Sequence, residues 1–158
     1  MQQHDLTNIP QIKVSFSHNI PFEKRPHISN SQDAIKAFLA HWDKDLMNVQ
    51  KEMYILYLDQ HYRAIGVYHH SKGGIQDCLG ELQQVFAVGL QANAAYFAVA
   101  INDTAGNHEP SEAEIAAAQH IQQTARAIGL QLYDYFLLTD SKSVSFKDNY
   151  LLLPDFAL

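Results

Sequence analysis

The sequence predicts an α/β domain, a sheet flanked by helices, and three observations carry that expectation. Apolar residues recur with a strand's period in some stretches and a helix's in others, and the two alternate along the chain. The run Ala95–Ile101 is apolar throughout, as in a strand covered on both faces. Just beyond it, Ser111-Glu-Ala-Glu114 has the form of a capping box ahead of a long amphipathic helix. With 158 residues, 47% of them hydrophobic and 18% charged, the chain is long enough for one domain, residues 1–158, with a core that needs no covalent staples.

In chain order, residues 10–18 alternate Ile12, Val14 and Phe16 with polar neighbours, the period of a half-buried strand. A loop through Pro21 and Pro26 leads to a helix capped by Ser29 or Ser31 and running to about Val49, with Ala34, Ala37, Phe38 and Trp42 near helical spacing. Met53–Leu58 and Ala64–His70 read as strands joined by a turn at Asp59-Gln60-His61, and Gly73-Gly74 marks a loop. A second helix is expected from about Leu79 to Asn93, followed by the buried strand 95–101. After the polar turn Asn102–Pro110, the capped helix runs from Ser111 to Ile128 and stops at Gly129. Strands at Gln131–Leu138 and Val144–Phe146 and an apolar tail ending Leu151-Leu152-Leu153-Pro154 complete the chain.

Composition narrows the function classes. The net charge is −6, and Lys and Arg are scattered with no cluster longer than Lys24-Arg25, so no concentrated basic face for nucleic acid is expected. A single cysteine, Cys78, rules out an intrachain disulfide or a Cys-rich zinc site. No apolar stretch approaches the ~20 residues of a membrane span. Met1–Val14 shows no basic region followed by an apolar run, and the expected location is the cytoplasm.

The residues at the joints of this pattern are more telling than the pattern. Glu52 opens the strand ending Leu58-Asp59, and Gly73-Gly74 follows the next strand. Then come the segment Ala100–Ile115, with Gly106, Pro110 and Ser111, and Leu132–Thr139 with Ser145-Phe146 behind it. Over about residues 10–153 this resembles a RadC-type JAB/MPN domain. The resemblance implies a central mixed sheet flanked by helices, with a cytidine deaminase-like architecture. It also implies a zinc site: two histidines and an aspartate as ligands, an upstream glutamate as general acid/base on a metal-bound water, and a serine binding the oxyanion.

Position by position, the resemblance puts the acid/base at Glu52, the histidines at Ile101 and Asp103, the serine at Ala105 and the aspartate at Glu114. Tyr135 stands where the family has a histidine after Asp134. Ile101 has no donor atom and Ala105 no hydroxyl, so the family zinc is expected to be lost and no cofactor is expected. The reading that follows is a pseudoenzyme, a JAB domain acting as a binding or scaffold module toward a protein partner the sequence does not name. One rival is a metal-dependent hydrolase of the metallopeptidase or isopeptidase class with a rearranged site. Glu52, Asp103, His108 and Glu114 would form a mostly oxygen set for it, suited to magnesium or manganese. Another is a DNA-repair accessory, as the RadC label suggests.

Each of these residues also has a purely structural role available. Glu52 at a strand's start can be simply solvated, Glu114 completes the capping box, and Asp103 can brace its loop as an Asx-turn. His69-His70 point to opposite faces of a strand and cannot chelate together. Cys78 reads as a small buried residue. Tyr54, Tyr57, Tyr133 and Tyr135 are strand aromatics, and stacking bases would require them on an exposed face beside Lys or Arg.

Overall fold

In the computed structural model, residues 6–13, 15, 20–72 and 82–154 are described. Among these residues, five strands form one mixed sheet: β1 (Glu52–Leu58), β2 (Ala64–Lys72), β3 (Tyr96–Asn102), β4 (Gln131–Leu138) and β5 (Ser143–Ser145). Their order is β2-β1-β3-β4-β5. Only β3 and β4 run parallel; β1 pairs antiparallel with both neighbours, and β5 turns back antiparallel on β4. The β3–β4 connection carries a helix, as a parallel crossover requires. This is the mixed sheet the resemblance implies.

Helices cover both faces. Helix α1 (Ser31–His41) packs on one, where Ala34, Ile35, Phe38 and Trp42 meet Tyr54, Leu56, Leu58, Ala98, Ala100, Phe136 and Leu138. Helices α2 (Leu82–Gln91) and α3 (Glu112–Ala127) cover the other, over Met53, Ile55, Tyr57, Phe97, Val99, Ile101, Tyr135 and Leu137. Every residue of β1 is buried, because it is interior to the sheet and covered on both sides. Gly89 allows α2 to approach closely: a Cβ there would lie 3.0 Å from the Tyr57 ring, whose hydroxyl donates to the Val85 carbonyl at 2.7 Å.

The capping box forms as read: the Glu114 amide donates to Ser111 Oγ at 3.1 Å, and the Ser111 amide to Glu114 Oε2 at 3.0 Å. Gly129 ends the helix at φ 80°. Three expectations need correction. Residues 10–13 and 15 form no strand, and Ile12 is 90% exposed; alternation alone does not make a strand without a ladder and a face to bury. Val14 and Phe16 lie outside the described residues. Asn30, not Ser29 or Ser31, caps α1, accepting from the Asp33 amide at 3.0 Å. That helix ends at His41 rather than near Val49, because Trp42 turns extended and is buried against Tyr54, and turns occupy the residues that follow. Elsewhere the strand limits move by one or two residues. Gly73-Gly74, Cys78 and the expected start of the second helix lie outside the described residues.

Candidate functional site

The site positions meet where β3 ends, β1 begins and α3 starts. The register pairs Met53 with Ile101, and the last residue of β3, Asn102, meets the start of β1 at Glu52. Asn102 is completely buried. Its Oδ1 accepts from the Glu52 amide at 2.7 Å, and its Nδ2 donates to the Met47 and Gln50 carbonyls at 2.7 and 2.9 Å. One amide side chain thus fixes the loop before β1 to the end of β3. The sequence reading passed over it, although an uncharged polar residue closing an apolar strand is a signal of such a tie.

Ile101 is buried and belongs to the core under α2 and α3. Asp103 braces the following loop: its Oδ1 accepts from the Ala105 and Asn107 amides at 2.9 and 3.1 Å, and its own amide donates to the Leu138 carbonyl at 3.0 Å. Gly106, at φ 78°, takes the left-handed conformation that loop needs. Ala105 and His108 are exposed on it. Glu114 is 8% exposed; one oxygen closes the capping box and the other, Oε1, lies 3.6 Å from Lys51 Nζ.

Glu52 is turned away from these residues. Side chains alternate across a strand, and here Met53 shares its face with Ile101 while Tyr54 faces α1. Glu52 follows Tyr54. Its Oε1 is 3.4 Å from His69 Nε2, and His69 stacks on Tyr54 with ring centroids 4.5 Å apart. Glu52 is 2% exposed, so it is not a solvated strand end, and its Oε2 has no hydrogen-bond partner among the described residues. Burial first, then the Glu52 and Asp43 charges, raises the Tyr54 phenol above the usual tyrosine range. The side chain that faces Glu114 is Lys51, one residue earlier.

The set Glu52, Asp103, His108 and Glu114 is therefore not assembled. Among the described residues, no group of three His, Cys, Asp or Glu is placed to hold a metal ion. The donor set at positions 101, 103 and 114 does not fit zinc: an alkyl side chain, a carboxylate engaged by two backbone amides, and a carboxylate shared between its own helix cap and an ammonium. His69 and His70 do point to opposite faces, His69 onto Tyr54 and His70 beside Tyr68. Tyr54, Tyr57 and Tyr135 are buried, so they offer no stacking surface.

Within this frame the comparisons with known proteins find a match. The family model for the RadC-like JAB domain matches residues 28–151. The chain belongs to the RadC-like JAB domain family. Among curated relatives, a UPF0758 protein of Porphyromonas gingivalis is 27% identical over 142 residues, covering 88% of this chain and 62% of the relative. A UPF0758 protein of Acinetobacter baumannii is 27% identical over 111 residues, 70% of this chain and 47% of the relative. One from Xanthomonas axonopodis pv. citri is 32% identical over 94 residues, 60% of this chain and 42% of the relative. The chain thus spans less than two thirds of the length of these relatives. No helix among the described residues is long and apolar enough to cross a membrane.

The RadC-like domain also has a second polar feature, at a residue the sequence names only as a marker of the resemblance. Asp134, fully buried at a bulge in β4, accepts from the Tyr135 and Lys147 amides at 2.7 and 2.9 Å through Oδ1, and from the Ser145 and Ser31 hydroxyls through Oδ2. It joins β4, the segment after β5 and the start of α1. Burial raises its pKa above the usual aspartate range, against the lowering effect of those hydrogen bonds. Beside it, at the opposite end of the sheet from position 101, a cleft of about 690 Å³ is lined by Tyr62, Tyr96, Tyr133, Lys147 and Tyr150. Tyr62 stacks on Tyr96 at 4.5 Å, and Lys147 Nζ lies 4.9 Å from the centre of the Tyr133 ring.

Proposed function

We propose that this chain is a RadC-like JAB domain without hydrolase chemistry, acting in the cytoplasm as a binding or scaffold module and folding as a single unit. The observation that carries the reading is the commitment of the site's polar atoms to local structure. Asp103 holds its own loop and Glu114 its own helix start and Lys51, while Ile101 fills core space. A hydrolytic zinc centre needs three protein ligands with an open water position, and a nearby base aimed at that water. Glu52, the residue the resemblance assigns to that role, faces His69 on the other side of the sheet. A carboxylate there has no line to a water held at 101, 103 and 114.

The rival readings find less support. A rearranged metal hydrolase needs converging carboxylates, and these diverge. A DNA accessory needs a concentrated basic face, and the chain carries a net charge of −6 with scattered Lys and Arg. The test is hydrolysis: protein purified without added metal is assayed on peptide and isopeptide-linked substrates, with and without added zinc or manganese. No turnover above buffer is expected in any condition. Chelator-sensitive cleavage that co-purifies with the chain would overturn the reading.

A further inference from the structure

The Lys51–Glu114 contact has a meaning beyond the loss of ligands. Continuing the β1–β3 register two residues past the Met53–Ile101 pair sets Lys51 across from Asp103, on the face that carries Ile101. Its Nζ is 3.6 Å from Glu114 Oε1, and the two side chains are 28% and 11% exposed. An ammonium therefore lies beside position 114, on the face that carries position 101, where the family resemblance places a metal. A largely buried carboxylate at position 114 needs a positive partner, and Glu114's second oxygen already faces the Ser111 amide. We propose that Lys51 is a built-in replacement for the metal cation: it neutralises Glu114 from within the chain and repels any divalent cation from the same place. The proposal rests on the reading of this pole as the family's site without its ligands. It adds that the pole is actively closed to metal, where ligand loss alone would leave it merely vacant of donors.

The experiment uses the full chain and two sets of variants. In the first, thermal melts of the parent, Lys51→Gln and Lys51→Glu are recorded with rising manganese or zinc chloride. Lys51→Glu places a carboxylate where the ammonium was, beside Glu114. Its midpoint is expected below the parent's in metal-free buffer and to rise saturably with added metal, while the parent's stays put. In the second, zinc affinity is read by competition with a chromophoric chelator for Ile101→His/Asp103→His/Ala105→Ser/Glu114→Asp, with Lys51 kept or changed to Gln. Removing the ammonium is expected to tighten zinc binding roughly tenfold or more, the scale of a close like-charge repulsion. Equal affinities in the two backgrounds, or no zinc binding by either folded variant, would overturn the proposal. So would a Lys51→Glu midpoint that ignores metal, and this single substitution keeps the test decisive if the multiple variants fail to fold. Failure of the functional reading looks different: the parent itself would bind zinc.

Discussion

The two ends of the sheet are built on the same device and differ in what they leave open. Toward each end a buried polar side chain ties a strand to neighbouring segments, Asn102 at the close of β3 and Asp134 at the bulge in β4. At the Asn102 end, on the face that carries Ile101, the loop brace at Asp103, the helix cap at Glu114 and the pair with Lys51 engage the polar groups. At the Asp134 end, tyrosine rings and Lys147 line an open cleft. The end where the family resemblance places chemistry is thus the filled one. A shared fold needs the ties and does not by itself demand reactive groups at the end they hold.

Cutting each tie sharpens the comparison, and the largest effect is expected at Asp134. Asp134→Ala leaves two amides and two hydroxyls without their acceptor, the Tyr135 amide and the Ser145 hydroxyl among them buried, at a cost of about 3 kcal/mol or more. Denaturant midpoints measure it, and a change within about 0.5 kcal/mol, normal for a surface site, would remove Asp134 from the account. The same residue gives a pH signature. Its folded pKa is raised by burial, so the folded state holds this proton more tightly than the unfolded chain does. Its contribution to stability is complete below the ordinary aspartate pKa of about 3.9 and is lost as pH rises through the folded value. Asp134→Asn removes that downward slope while keeping one acceptor. A parent-minus-variant stability difference that rises with pH across this window would contradict the burial argument.

At the other end, Asn102→Ala orphans the Glu52 amide and the Met47 and Gln50 carbonyls, and is expected to cost about 2–3 kcal/mol. Amide hydrogen exchange should quicken at Glu52 first; protection unchanged there would show that another group holds the strand start. The smallest effect belongs to the cap. Ser111→Ala removes the acceptor for the Glu114 amide and should lower stability by ~1 kcal/mol. A variant as stable as the parent would mean that the Ser111 cap contributes little to this helix.

What could be read from the sequence divides along the range of the forces involved. The α3 cap and its Gly129 stop are local, and they formed as read. The buried character of β3 followed from uninterrupted apolar residues. The end of α1 was overrun because helical spacing continued past His41, while the burial of Trp42 against Tyr54 is a tertiary contact no period records. The most instructive case is the pair Lys51 and Glu52. A one-residue change of register moves a side chain to the other face of a sheet, and which face meets α3 depends on pairing with Ile101. Residue type pointed to the carboxylate; position selected the ammonium. Asp134 and Asn102 were hidden for a related reason, since their partners lie as far as 103 and 55 residues away in the chain.

On the proposal above, the chain's own groups close the pole at positions 101, 103 and 114 to metal. Calorimetric titration of the parent chain with zinc, after dialysis against a chelator and its removal, tests this most directly. No saturable one-site isotherm is expected, with a thermal midpoint that zinc leaves unchanged. A one-to-one isotherm that is abolished by Glu114→Ala would contradict it.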